Sequence, residues 1–242
     1  MKKPVPPDEL FSTLYEAYGK QGWWPVFSRR GETGFDDRGY HPDDDLIPVS
    51  DSDRWEVALG SILTQNTAWP NVERALLALI EQGLDSPQTI LTAPMDILAG
   101  AIRPSGYFNQ KARRVKAFAS FFLALDGAIP TRDALLSLSG IGPETADSML
   151  LYAWHRREFV IDTYTLRILR RMGHSERALH LVNPSKRYNA VKYFITSRII
   201  TDPSVNRYKE FHALFVRHAK EHCRSRPICD TCPLATGCAK MI

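Results

Sequence analysis

The sequence predicts an all-α protein, a bundle of roughly ten or more short helices joined by turns. Apolar residues recur at the spacing of one helix face, first at Trp55, Ala58, Leu59, Ile62 and Leu63. The same spacing returns in residues 72–79 and 115–122, whereas sustained alternation of period two is hard to find. Proline and glycine separate these segments, as expected for turns between helices.

The composition is that of an ordinary globular protein with a small positive charge. Its 242 residues are 44% hydrophobic and 24% charged, and the net charge of +4 favours a polyanionic partner without establishing one. No apolar run approaches the ~20 residues of a membrane span. The N-terminal residues MKKPVPPDEL lack the apolar stretch of a secretory signal, so we expect a cytoplasmic protein.

Residues 29–50 differ from the rest of the chain, because they are polar and acidic and include three glycines. Asp43, Asp44 and Asp45 are consecutive, without the alternating ligands and central glycine of a calcium loop. We therefore expect this segment to be a solvated loop.

The segment LLSLSGIGPETADSMLLYAW predicts two helices joined by a glycine turn. Thr131 is a candidate N-cap for a helix ending near Leu138, and Pro143 suits the first position of the next helix. Between them, Gly140 and Gly142 leave backbone N–H groups at a helix N-terminus, where a phosphate oxygen can bind. A plain helical hairpin with a glycine turn explains the same residues.

Asp162 follows the apolar residues 159–161 and begins the segment DTYTLRILRR, which has the pattern of a helix. An aspartate in this position is a common N-cap. The alternative is a carboxylate directed at a substrate beside the glycine turn.

All four cysteines lie near the C-terminus, in the pattern Cys223-x5-Cys229-x2-Cys232-x5-Cys238. A reducing cytoplasm disfavours two disulfides, and four clustered thiols indicate a metal centre, either tetrahedral zinc or a [4Fe–4S] cluster. We expect the neighbouring His212, His218 and His222 to face solvent or phosphate rather than the metal.

The glycine turn and the motif Phe159-Val160-Ile161-Asp162-Thr163 together resemble the helix–hairpin–helix superfamily of DNA glycosylases, in its endonuclease III branch. The resemblance runs from about Trp55 to Cys238 and includes GYFNQKA, residues 106–112. It implies that Asp162 is catalytic. It also implies that the phosphates of double-stranded DNA are bound by four residues: Gly140, Gly142, Lys111 and Arg113.

The resemblance implies two helical lobes with a DNA groove between them. Residues 51–161 would form one lobe, and residues 1–50 with 162–242 the other, which carries the metal loop. We expect a monomer associated with the nucleoid of a bacterium or archaeon.

The motifs Trp23-Trp24-Pro25 and Gln65-Asn66-Thr67-Ala68-Trp69 resemble one subgroup, the 3-methyladenine DNA glycosylases of the endonuclease III type. In that subgroup the corresponding residues line the base pocket, which implies this role for Trp24, Pro25 and Trp69. Gln65 corresponds to the residue that fills the gap left by the flipped base. An alkylated purine is therefore the expected substrate; uracil, mismatched thymine or an oxidised pyrimidine is the alternative.

Two further features bear on the chemistry that the resemblance implies. Glu144 occupies the place where bifunctional relatives have a lysine that forms a Schiff base, so we expect a monofunctional glycosylase without lysine-dependent AP lyase activity. Weak AP lyase activity belongs to the alternative, a glycosylase for uracil, mismatched thymine or an oxidised pyrimidine. The endonuclease III cluster motif is C-x6-C-x2-C-x5-C, which is one residue longer than the pattern here in the first gap. Because the other spacings are the same, a [4Fe–4S] cluster is favoured over zinc. A non-catalytic DNA-binding module and a zinc-stabilised RNA-binding protein are the alternatives from other classes.

Overall fold

A computed structural model of the protein describes residues 5–174, 183–199 and 201–240. All regular structure in these ranges is helical, which confirms the predicted all-α class. The helices are α1 (Pro7–Tyr18), α2 (Asp51–Leu63), α3 (Trp69–Glu81), α4 (Pro87–Thr92), α5 (Met95–Ala101), α6 (Phe108–Ala124), α7 (Arg132–Leu136), α8 (Pro143–Tyr152), α9 (Thr163–Arg171), α10 (Pro184–Thr196) and α11 (Val205–Glu221). Short 3-10 turns occupy Phe27–Arg29 and Arg103–Ser105. None of the described helices is long and apolar enough to cross a membrane.

The chain divides into two compact units. The central unit is Trp24–Arg156, and the terminal unit comprises the described residues of Met1–Trp23 and Arg157–Ile242. Residues 24–50 therefore group with the central unit, whereas the sequence had placed them with the termini.

Backbone hydrogen bonds explain why residues 24–50 belong to the central unit. The amide of Val26 donates to Gly39 O at 2.9 Å, and Glu56 on α2 accepts the amides of Phe27 and Ser28. His41 is buried, and its Nε2 lies 3.0 Å from Trp24 O. The acidic segment, expected to be a solvated loop, is exposed at most of its side chains, but its backbone holds residues 24–28 against α2.

The core of the central unit is built on α2, which begins with a capping box between Ser50 and Asp53. Ten of its thirteen residues are buried, so the helix lies inside the unit rather than on its surface. Trp55 of α2 stacks on Phe118 of α6, with ring centroids 5.7 Å apart, and α8 also packs on α2. The end of α2 therefore has a fixed position beside α6 and α8.

The hairpin of α7 and α8 has the predicted caps. The Thr131 hydroxyl accepts the Ala134 amide, and Pro143 is the first residue of α8. Gly140 has φ +84°, which favours glycine, whereas Gly142 has φ −92° and an extended backbone that any residue adopts. Only the first of these two glycines is therefore required by the backbone.

In the terminal unit, α11 packs against α1 and α9. Phe211 of α11 is completely buried and meets Phe11 of α1 edge to face at 5.6 Å. These contacts fix the start of α9, where Asp162 lies, relative to α11.

Candidate functional site

Asp162 is the N-cap of α9 and, among the described residues of the terminal unit, the one buried carboxylate, with 8% of its surface exposed. Its Oδ1 accepts the Thr165 amide at 2.7 Å. Its Oδ2 lies 3.7 Å from His212 Nε2, the distance of an ion pair rather than of a hydrogen bond. The Asp162 side chain therefore caps α9 with one oxygen and faces His212 with the other.

The surroundings of Asp162 favour its charged form. Burial raises the pKa of this carboxyl, but His212 and the Thr165 amide lower it by more, so the pKa lies below the ordinary 3.8. The Trp23 ring contacts the His212 ring edge to face at 5.9 Å. Asp162 is thus a buried carboxylate that is ionised at neutral pH.

Gln65 contacts the hairpin turn of the central unit. Its Nε2 donates to Gly140 O at 3.0 Å and to Thr145 Oγ1 at 2.9 Å. Its Oε1 accepts from Arg114 of α6 at 2.8 Å. The structure therefore brings together two predicted site residues, Gln65 and Gly140, and adds Arg114, which the sequence analysis had not singled out.

Lys111 does not lie where a DNA phosphate could reach it, contrary to the sequence prediction. Only 1% of its surface is exposed, and its ammonium donates to Leu63 O at 2.6 Å and Ser105 O at 2.7 Å. Burial and the nearby Arg114 lower the pKa of Lys111 to about 8. Its sequence position gave a signal, because Val115 and Phe118 follow at the spacing of one buried helix face.

Arg113, Gly142 and Glu144 are more accessible than Lys111. Arg113 and Glu144 are exposed, and Gly142 is partly exposed at the start of α8. The backbone around Gly142 is open, since a Cβ at this position would meet no atom within 4 Å. Their predicted roles toward DNA stay predictions.

The structure brings Trp24 and Trp69 together, but as a pair in mutual contact. Their rings meet edge to face at 5.4 Å, and Trp24 also contacts Tyr152 at 5.3 Å. Trp24 and Pro25 are buried, whereas Trp69 is half-buried. Gly60 of α2 makes room for the pair, because a Cβ there would lie 3.1 Å from Trp24 Nε1.

The four cysteines of the terminal unit line one open cavity, of about 390 Å³ including solvent space at its mouth. Donors approach the sulfurs: Arg171 lies 3.4 Å from Cys223 Sγ, and the Lys240 amide 3.3 Å from Cys238 Sγ. Such donors stabilise thiolates. In the described ranges no three Cys, His, Asp or Glu side chains are grouped closely enough to hold a single metal ion.

Two histidines expected to face solvent or phosphate are instead held beside this cavity. The Tyr18 hydroxyl lies 3.0 Å from His218 Nδ1 and 2.9 Å from His222 Nδ1, and His218 Nε2 is 3.8 Å from Cys232 Sγ. Burial, with a contribution from His222, lowers the pKa of His218 to about 4. His218 is therefore neutral at pH 7. Tyr18, near the other end of the chain, has no sequence feature that links it to the cysteines.

This combination of a helical hairpin, a following N-cap aspartate and a four-cysteine cavity defines a class of DNA repair proteins. Residues 59–188 match the HhH-GPD superfamily of base excision DNA repair proteins. The chain belongs to this superfamily and, within it, to the endonuclease III branch, which confirms the resemblance found in the sequence.

Three similar proteins illustrate this relationship. A putative DNA repair glycosylase of Methanocaldococcus jannaschii is 36% identical over 241 residues, which cover 95% of this chain and 94% of that protein. Endonuclease III of Sulfolobus acidocaldarius is 33% identical over 74% of this chain and 79% of its own length. The crystal structure of the H. pylori 3-methyladenine DNA glycosylase bound to 1,N6-ethenoadenine has a TM-score of 0.56 and 25% identity, covering 73% of this chain and 91% of that one.

Proposed function

We propose that the protein is a monofunctional DNA N-glycosylase of base excision repair that removes an alkylated purine, such as 3-methyladenine, from double-stranded DNA. It acts as a monomer and leaves an abasic site. The observation that carries the proposal is the environment of Asp162, a buried carboxylate kept ionised by the Thr165 amide and His212.

Breaking an N-glycosidic bond builds positive charge on the deoxyribose, and a carboxylate stabilises that charge. The Thr165 amide donates to Oδ1, so we assign Oδ2, which faces His212, to stabilise the sugar or orient a water. His212 offsets the cost of burying this charge, so the carboxylate stays ionised. In this proposal the carboxylate stabilises the positive charge that develops on the deoxyribose.

A methylated purine suits the residues proposed as the base pocket. N3- or N7-methylated purines carry positive charge, which weakens the glycosidic bond and favours contact with indole faces, by about 0.5–2 kcal/mol per contact. Trp69 is half-buried and supplies an accessible indole, with Trp24 packed behind it. The H. pylori protein of similar fold is a 3-methyladenine glycosylase, which supports the same substrate class.

Glu144 supports a reaction without strand cleavage. A Schiff-base mechanism needs an amine at this point of the hairpin, and a carboxylate cannot form an imine. Lys111 of the central unit is buried, and its ammonium donates to two carbonyls.

The cysteine cavity fits a [4Fe–4S] cluster. Four thiols line it, and Arg171 and the Lys240 amide supply donors to the sulfurs. Cys223, Cys229, Cys232 and Cys238 would hold the cluster. The cluster would support the basic segment after α11, which we infer contacts the DNA backbone. It would take no part in the reaction at Asp162.

A lesion panel tests the proposed function. Duplexes containing 3-methyladenine, 7-methylguanine, uracil, mismatched thymine or thymine glycol are incubated with the protein, and free base and abasic sites are measured. We expect release of the methylated purines, and a loss of at least about 100-fold in rate for Asp162→Asn. Asparagine caps a helix as well as aspartate does, so this variant keeps the cap and removes the charge.

Asp96→Asn is the matched control, because Asp96 is an exposed aspartate in the first turn of α5. It should release bases at the wild-type rate. Release of uracil or thymine without methylated purines would exclude the alkylation substrate. DNA binding with no release from any lesion would favour the non-catalytic binding module instead.

A further inference from the structure

Gln65 lies in the turn after α2, and its side chain is held by three hydrogen bonds to other elements. Two go to the hairpin turn and α8, through Gly140 O and Thr145 Oγ1, and one comes from Arg114 of α6. Carbonyl oxygens only accept and guanidinium groups only donate. The amide orientation of Gln65 is therefore determined at both ends.

Arg114 also covers the glycine turn. A Cβ at Gly140 would lie 2.0 Å from Arg114 Nε and 2.5 Å from Arg114 Cδ, so the arginine side chain occupies the space that the missing side chain leaves. The positive φ of Gly140 favours glycine, and the absence of a side chain there leaves the space that Arg114 fills.

The guanidinium of Arg114 has five N–H donors. Among the described residues its hydrogen bond is made by Nη1, to Gln65, and the side chain is only partly buried. Its remaining donors lie beside the turn whose backbone belongs to the DNA-binding hairpin. A phosphate oxygen is the ligand that a planar guanidinium fits best at such a place.

We propose that Arg114 is a positioning residue for Gln65: it fixes the glutamine amide against the hairpin turn and, with its other N–H groups, binds a DNA phosphate at that turn. The inference rests on the proposed function and on the role that the family resemblance implies for Gln65, which is to fill the gap left by the flipped base. A glutamine held in one rotamer before DNA binds loses less side-chain entropy on insertion. Phosphate contact and gap filling are thereby coupled through one side chain.

The test uses a duplex with a tetrahydrofuran abasic analogue opposite 2-aminopurine, so no base release is needed. Insertion of Gln65 changes the stacking and hence the fluorescence of 2-aminopurine, and Gln65→Ala abolishes this change. We expect Arg114→Ala to lose at least half of the change at saturating protein, to bind about tenfold more weakly and to reduce the salt slope of log Kd by about 1.

Thr145→Val separates the two parts of the proposal. It removes a partner of Gln65 Nε2 without touching Arg114, so it should reduce the fluorescence change and leave the salt slope unchanged. In a Gln65→Ala background, Arg114→Ala should weaken binding but produce no further fluorescence change. Arg114→Lys, which keeps a donor and the charge, should restore part of both signals.

Arg74→Ala is the control for loss of one positive charge, because Arg74 is exposed on α3 and bonded to Asn71. It should give the wild-type fluorescence change. Arg114 variants that keep the full fluorescence change would overturn the positioning role. If the wild type gives the fluorescence change but releases no base, the proposed glycosylase activity is contradicted and this inference is not. If the wild type releases base but the Arg114 variants keep the full fluorescence change, this inference is contradicted and the glycosylase activity is not.

Discussion

At the residue scale, Asp162 combines the role of a helix N-cap with that of a buried, charged carboxylate. An N-cap aspartate normally directs its side chain to the helix amides, and here Oδ1 does so through Thr165. The other oxygen faces His212, which comes from α11 about fifty residues later. Because the cap fixes the carboxylate and the histidine keeps it charged, a buried aspartate can stay ionised at the pH of the cell.

Glu144 leads to a prediction about covalent trapping. The protein is incubated with a duplex containing an abasic site and sodium borohydride, which reduces any Schiff base to a stable adduct. We expect no adduct with wild type, because the position of the lysine in bifunctional relatives holds a carboxylate. Denaturing gel electrophoresis measures the adduct.

Glu144→Lys is the informative companion variant, since residue 144 is exposed in the first turn of α8 and tolerates a long side chain. A faint adduct with this variant, and none with wild type, agrees with the proposal. An adduct with wild type that survives Glu144→Ala would show that another amine forms the Schiff base, and the monofunctional mechanism would be abandoned.

Residue-scale prediction from sequence succeeds where one local pattern carries the signal. Apolar residues followed by Asp162 and a helix are such a pattern, and the cap at Thr131 is another. His212 beside Asp162, and Tyr18 beside His218, join distant parts of the chain. No spacing rule links them, so only the packing of α1, α9 and α11 reveals these pairs.

At the element scale, α6 depends on a buried lysine. The Lys111 ammonium donates to Leu63 O, at the end of α2, and to Ser105 O, and Lys111→Met leaves both carbonyls buried without this donor. We expect a loss of about 2 kcal/mol in the free energy of unfolding. Urea unfolding at pH 7 measures it, with the exposed Arg113→Ala as control, expected within about 0.5 kcal/mol of wild type.

The same variant has a predicted pH dependence. The pKa of Lys111 falls from 10.5 to about 8 on folding, so between these values the unfolded chain binds more protons and the wild-type stability rises with pH. The difference between wild type and Lys111→Met should therefore widen from pH 8 to pH 10. A difference that narrows over this range would mean that the ammonium, and not the amine, is the favoured buried form.

Residues 24–50 show the limit of composition as a guide to an element. Acidic and glycine-rich sequence correctly indicates exposed side chains, but it carries no information about backbone hydrogen bonds. The bonds from Val26 to Gly39 and from His41 to Trp24 therefore could not be anticipated. They give the segment a role, because they hold Trp24 in the proposed base pocket.

At the scale of the whole molecule, the proposed functions are divided between the two units. The central unit carries Gln65, the hairpin and the tryptophan pair, and the terminal unit carries Asp162 and the cysteines. After Glu221 the described chain forms no further helix and buries few apolar side chains, among them Leu234. Polar contacts hold it at both ends, such as Arg167 to Cys223 O at 2.7 Å and Cys238 Sγ to Arg171 O at 3.2 Å.

A segment with so little apolar burial needs another source of stability, and the cluster supplies it in our proposal. We expect the purified protein to be brown, with an absorbance band at about 400 nm and about four iron atoms per chain. Cys232→Ser should lose the colour and become sensitive to trypsin at Arg224, which is exposed. Mass spectrometry of timed digests measures cleavage there against cleavage at Arg74 in the central unit. Because Arg224 is already accessible on the surface, its protection in the wild type must come from a fixed backbone. Equal cleavage at Arg224 in the two proteins, or a colourless wild type containing zinc, would remove the cluster as the support of this segment.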